Sequence, residues 1–86
     1  MKMRIYIWVD TCDRQVKGYY YSIKALRKAL IEYYKELLKE DPTDKEISTI
    51  IKELKNPEVK DTYDLEMTCA DTDIILDFID IDLQSK

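Results

Sequence analysis

The residues of this sequence best placed by type and spacing to do chemistry are carboxylates. Asp64 and Glu66 alternate with apolar residues along 63–69, and Asp77, Asp80 and Asp82 recur along 74–83. Clustered carboxylate oxygens hold hard cations, a carboxylate pair performs acid–base work, and a dense one-sided row attracts a basic surface. The first two uses lack their usual company. There is no Asp-x-Asp-x-Asp-Gly loop, no glycine-rich phosphate loop and no nucleophile with an evident base. The 86-residue chain has no histidine, which excludes histidine triads, histidine-ligated zinc and an imidazole switch. Cys12 and Cys69 match no zinc spacing and are expected as free thiols, Cys69 buried and Cys12 near a turn. No metal, no cofactor and no catalytic group is expected; the acids point to docking.

A second constellation is aromatic and basic. Tyr6, Trp8, Tyr19 and Tyr21 lie in the first quarter of the chain, followed by Lys24, Lys28, Lys35 and Lys39. At 100° per residue these lysines share one side of a helix, opposite its apolar stripe. Exposed rings beside a basic stripe could stack on nucleic-acid bases; the competing reading packs the rings under a helix. Ile5-Tyr6-Ile7-Trp8-Val9 resembles the first aromatic motif of the RNA-recognition fold, and Lys17-Gly18-Tyr19-Tyr20-Tyr21 the start of its second. In that family a helix and a strand separate the two motifs, whereas a turn does so here, so its function is not carried over. Asp10, ending the first strand, resembles an aspartate of the small CRISPR adaptation nucleases. That resemblance implies a carboxylate-based, metal-dependent nuclease as a further alternative.

The elements that must position these groups follow from periodicity. Residues 3–9 alternate, with Met3, Ile5, Ile7 and Val9 on one face and Arg4, Tyr6 and Trp8 on the other. Asp10-Thr11-Cys12-Asp13 is turn chemistry. A second strand spans about 15–21, where Gly18 signals a bulge or a close backbone approach. Ser22 caps a helix to about residue 40, ended by Asp41-Pro42. Thr43 and Glu46 form a capping box for a second helix with Ile47, Ile50, Ile51 and Leu54 inward, closed by Asn56-Pro57. Residues 63–69 and 74–83 read as a hairpin around a turn at 70–73. Its returning strand changes parity between Phe78 and Ile79, which a bulge would resolve. Leu65, Met67, Leu76, Phe78 and Ile81 then face inward, and Asp64, Glu66, Asp77, Asp80 and Asp82 share the outer face. The expected fold is a small single α+β domain in ββααββ order, an antiparallel sheet with two helices on one face.

Charge divides along the chain. Residues 1–39 carry nine bases and four acids, net +5; residues 40–86 carry five bases and fourteen acids, net −9. No apolar run approaches a membrane span and no leader pattern opens the chain, so a cytoplasmic protein without membrane contact is expected. The favoured reading is a non-enzymatic inhibitor that sets its acidic hairpin on the basic, nucleic-acid-binding surface of a partner protein. In size and charge it is similar in type to phage-borne anti-CRISPR proteins. Against it stand a solvated acidic face, and a nucleic-acid module built from the tyrosines and Lys24, Lys28 and Lys35. An exposed edge strand leaves a homodimer open.

Overall fold

The computed structural model describes residues 2–69 and 71–80. Its elements are β1 (Lys2–Asp10), β2 (Gln15–Tyr20), α1 (Ile23–Glu40), α2 (Lys45–Leu54), α3 (Thr62–Thr68) and β3 (Thr72–Asp80). The three strands form one antiparallel sheet in the order β2-β1-β3. This is an α+β fold with its helices on one side of the sheet.

Local chemistry sets most boundaries. The Ser22 hydroxyl accepts a hydrogen bond from the Ala25 N–H at 3.0 Å and starts α1. Asp44, one residue beyond the expected Thr43, caps α2 by accepting from the Ile47 N–H at 3.0 Å. A carboxylate at that position satisfies the same free donor and also favours the positive end of the helix dipole, while Thr43 instead donates to Asp41. Gly18 marks the expected irregularity. The β1–β2 register shifts between Trp8, opposite Gly18, and Val9, opposite Val16, leaving Lys17 as the extra residue. A Cβ at Gly18 would collide with the Tyr20 ring, so the close neighbour is a side chain rather than the backbone that was expected.

The last third differs from the expected hairpin. Residues 62–68 are helical: Asp61 caps α3 by accepting from the Asp64 N–H at 2.8 Å, and Asp64 accepts from the Lys60 N–H at 3.2 Å. Alternation of Tyr63, Leu65, Met67 and Cys69 reads as a strand, but Leu65 and Cys69 are also one helical turn apart. These two are buried while Tyr63 and Met67 are exposed. The bulge expected at Phe78-Ile79 is also absent. β3 pairs with β1 in unbroken register from Thr72 opposite Asp10 to Asp80 opposite Lys2.

Continuous register assigns the faces. Arg4, Tyr6 and Trp8 of β1 share one face with Gly18 and Tyr20 of β2 and with Ile74, Leu76 and Phe78 of β3. The helices pack on this face: Tyr6, Trp8 and Ile74 join Leu26, Leu30, Tyr34, Ile50, Ile51, Leu54, Val59, Leu65 and Cys69 in one core. Trp8 and Tyr33 meet edge to face at 5.2 Å, which secures α1 to the sheet. Leu76 and Phe78, expected inside, lie past the helices and are exposed, with the Arg4 guanidinium 5.9 Å above the Phe78 ring. Met67 is likewise exposed rather than buried, and Ile81 lies outside the described residues. No helix among the described residues is long and apolar enough to cross a membrane.

Candidate functional site

The other face of the sheet is the most distinctive surface of the molecule. It carries Met3, Ile5, Ile7 and Val9 from β1, Val16 and Tyr19 from β2, and Asp73, Ile75, Asp77 and Ile79 from β3. None of these side chains belongs to the core beneath the helices, and no described element lies over them. Tyr19 is 60% exposed and Ile75 47%, with Val16 and Ile79 also open to solvent. Ile5, on the central strand, is buried on this face. Together these residues expose on the order of 400 Å² of apolar surface, a size at which patches on monomeric proteins often mark interaction sites. Among the positions that the strand register assigns to this face the charged residues are Asp73, whose carboxyl is hydrogen-bonded to Glu66 of α3 at the sheet edge, and Asp77, both on β3. The face is apolar in the middle and negative along one border.

The five carboxylates expected on one hairpin face are thereby separated. Asp64 and Glu66 are on α3, Asp77 is on the open face, Asp80 is on the helix-side face opposite Lys2, and Asp82 lies outside the described residues. Asp64 and Glu66 share no sheet face with the β3 acids, because residues 62–68 are helical. Two of the acids serve the edge of the sheet instead. The Thr11 N–H donates to the Asp71 carbonyl, so the alternate residues 72, 74, 76, 78 and 80 turn their backbone groups outward from β1. Glu66 accepts the outward Ile74 N–H at 2.9 Å, and Asp77 accepts the outward Phe78 N–H at 2.8 Å. Both bonds occupy donors that an added strand would need, so β3 is a guarded edge. Burial, then a hydrogen bond to the Asp73 carboxyl, raises the Glu66 carboxyl above its ordinary value, although the Ile74 N–H works in the opposite direction.

The aromatic and basic residues are divided too. Tyr6 and Trp8 are buried, Tyr19 is on the open face, and Tyr21 follows β2 and is exposed. Lys24, Lys28 and Lys35 are exposed on α1, in the helical layer on the far side of the sheet from Tyr19. Asp10 ends β1, accepts the Cys12 N–H at 2.8 Å and has the Lys17 ammonium 4.0 Å away. Among the described residues no three His, Cys, Asp or Glu side chains are grouped to hold a metal ion. Cys12 is an exposed thiol and Cys69 a buried one.

Sequence reasoning overlooked Asp73, which looked like a turn residue, and read Met3, Ile5, Ile7 and Val9 as an apolar face without assigning it a partner surface; the reading that packs Tyr6 and Trp8 under a helix is the one the core follows. Ile75 carried the missing signal, since its parity with Ile79 makes both faces of β3 apolar. No protein-family model, curated protein or solved structure matches this chain, so the meaning of the open face rests on its own chemistry.

Proposed function

We propose that this chain is a non-enzymatic binding protein that docks the open face of its sheet on a partner surface that is both apolar and basic. The observation that carries this reading is an apolar sheet face that no described element covers and whose charged residues, among those the strand register assigns to it, are the acids Asp73 and Asp77. Burying about 400 Å² at roughly 25 cal/mol/Å² contributes about 10 kcal/mol from this side. Association itself costs about 4–15 kcal/mol, so apolar area alone is close to break-even and charge decides which partner is held. Among the residues that the register assigns to this face, a second copy of this chain would set four carboxylates and no base against one another, which disfavours self-association through it. Strand addition at β3 is disfavoured by the Glu66 and Asp77 hydrogen bonds described above. The basic groove of a nucleic-acid-binding protein has the required chemistry, and occupying it would make this chain an inhibitor of that protein.

The test is affinity capture at rising salt with wild type and with Asp73→Lys/Asp77→Lys, together with sedimentation of the free protein. The proposal expects a monomer, a captured basic protein released as screening increases, and at least tenfold weaker capture by the double variant. A dimer that Ile75→Lys dissociates would overturn it, as would capture indifferent to the double reversal. Tight binding of random single-stranded nucleic acid by the free protein, lost in Lys28→Glu, would favour the nucleic-acid module instead.

A further inference from the structure

At the end of the sheet where β1 finishes and β3 begins, a cavity of about 200 Å³ opens between the sheet, α1 and α2. It is on the helix side of the sheet and owes nothing to the open face. Trp8, Tyr33 and Tyr34 form its aromatic wall, and the aliphatic side chains of α2 close it below. Tyr33 meets Trp8 at 88° and Tyr34 at 85°, both with centroids 5.2 Å apart, so the three rings turn two successive right angles. Among the described residues the charged ones that line the cavity are Asp10 at the end of β1, Glu46 on α2 and Asp71 in the turn before β3, and no base lines it.

From these walls and this charge we infer that the cavity binds a compact organic cation of the alkylammonium type. A ring face carries negative potential and attracts ammonium groups with apolar substituents, and three such rings line this cavity in planes turned through two right angles. The acids complete the selection. An anion meets three carboxylates, a neutral molecule gains the apolar walls without the charge, and a bare metal ion finds no convergent ligand set. A cavity of this size, many times the space one water needs, admits a tetramethylammonium ion or the end of a lysine side chain. Asp71 is held in place by the chain: it adopts a left-handed conformation at φ 56°, and its carbonyl takes the Thr11 N–H at 3.0 Å. The Cys12 thiol at the rim reports the same field, since a hydrogen bond to Asp71 and the charges of Asp71, Asp10 and Asp13 raise it above its ordinary value. The nearest cation to the acids, Lys17, stands 4.0 Å from Asp10 but does not line the cavity.

Trp8 is the one tryptophan of the chain, so its emission reads the cavity directly. The full-length protein is titrated at constant ionic strength with tetramethylammonium and with tert-butanol, a neutral molecule of the same shape. The inference expects a saturable change with a millimolar dissociation constant for the cation and about tenfold weaker binding of the alcohol. Glu46→Gln/Asp71→Asn, with its melting temperature checked, should weaken the cation about tenfold as well. Amide shifts of Tyr33 and Ile47 in the same titration give a second readout if Trp8 emission is insensitive. Competition by Nα-acetyl-lysine amide would assign the cavity to a protein lysine, and its absence to a free quaternary ammonium. Equal binding of cation and alcohol, a variant that titrates like wild type, or no shift at either amide would overturn the inference.

Discussion

Neighbouring isoleucines on β3 provide a sharp test of which face of the sheet is covered. Ile74 is 8% exposed beneath the helices, and Ile75, one residue on, is 47% exposed on the open face. Ile74→Ala removes packed methyl groups opposite Trp8 and leaves a space that the core closes only in part, a change that costs about 2–5 kcal/mol. Ile75→Ala removes groups already half in water and leaves no cavity, so its transfer loss is about 1 kcal/mol. Both substitutions give up the same β-branched strand preference, so the difference between them isolates burial. A domain of this size has about 4–13 kcal/mol in total, so Ile74→Ala removes a large share of it. At roughly 4–8 °C per kcal/mol, melting should fall by about 8–40 °C for Ile74→Ala and by about 4–8 °C for Ile75→Ala. Urea and thermal unfolding of the two variants and wild type, at several protein concentrations, measure this. Equal costs, or a larger cost at Ile75, would mean that the open face is covered in solution, and would refute the assignment.

Three further outcomes are expected. Glu66 has a raised folded-state pKa, so the stability it contributes is fully present below its unfolded value of about 4.3 and is lost as pH rises through the folded value. Glu66→Gln, which still accepts from the Ile74 N–H, should therefore gain on wild type as pH is raised from 4 to 7; parallel stability curves would contradict this. With a thiol reagent at pH 8, Cys12 should react more slowly than free cysteine and faster in Asp71→Asn. Cys69, which burial pushes up to about 11, should react only on unfolding, so a second thiol labelled in the native state would contradict its placement. Asp61→Ala removes the cap of α3 and should cost about 1 kcal/mol in denaturant unfolding, whereas a strand at 63–69 would show no such loss.

How much of this was legible in the sequence depended on the kind of signal. Where one side chain satisfies one backbone group, the sequence was sufficient: Ser22 starts α1, Asp41-Pro42 ends it, and Gly18 marks the β1–β2 irregularity. Period-two patterns were less secure. Leu65 and Cys69 satisfy both a strand and a single helical turn, and the Asp61 cap decides between them. In β3, treating Ile74 to Phe78 and Ile79 onward as one buried set required a bulge. The strand instead stays regular and shows apolar residues to both sides, because one side meets helices and the other meets solvent. An apolar face without cover breaks the rule from which burial is normally inferred, and such a break is expected where a surface has a task other than stability. The candidate site was therefore half visible: Asp77 and the apolar alternation of β1 were read, but the side of the sheet left open could be known only from where the helices pack.

Photo-crosslinking from inside the native host tests the docking face most directly. A benzoylphenylalanine placed at Tyr19 samples the open face, and one at Lys35 samples the outer side of α1. The account predicts a covalent adduct from position 19 to a basic protein, abolished by Asp73→Lys/Asp77→Lys, and none from position 35. Adducts from position 35 alone, or an adduct from position 19 to a second copy of this chain, would contradict it.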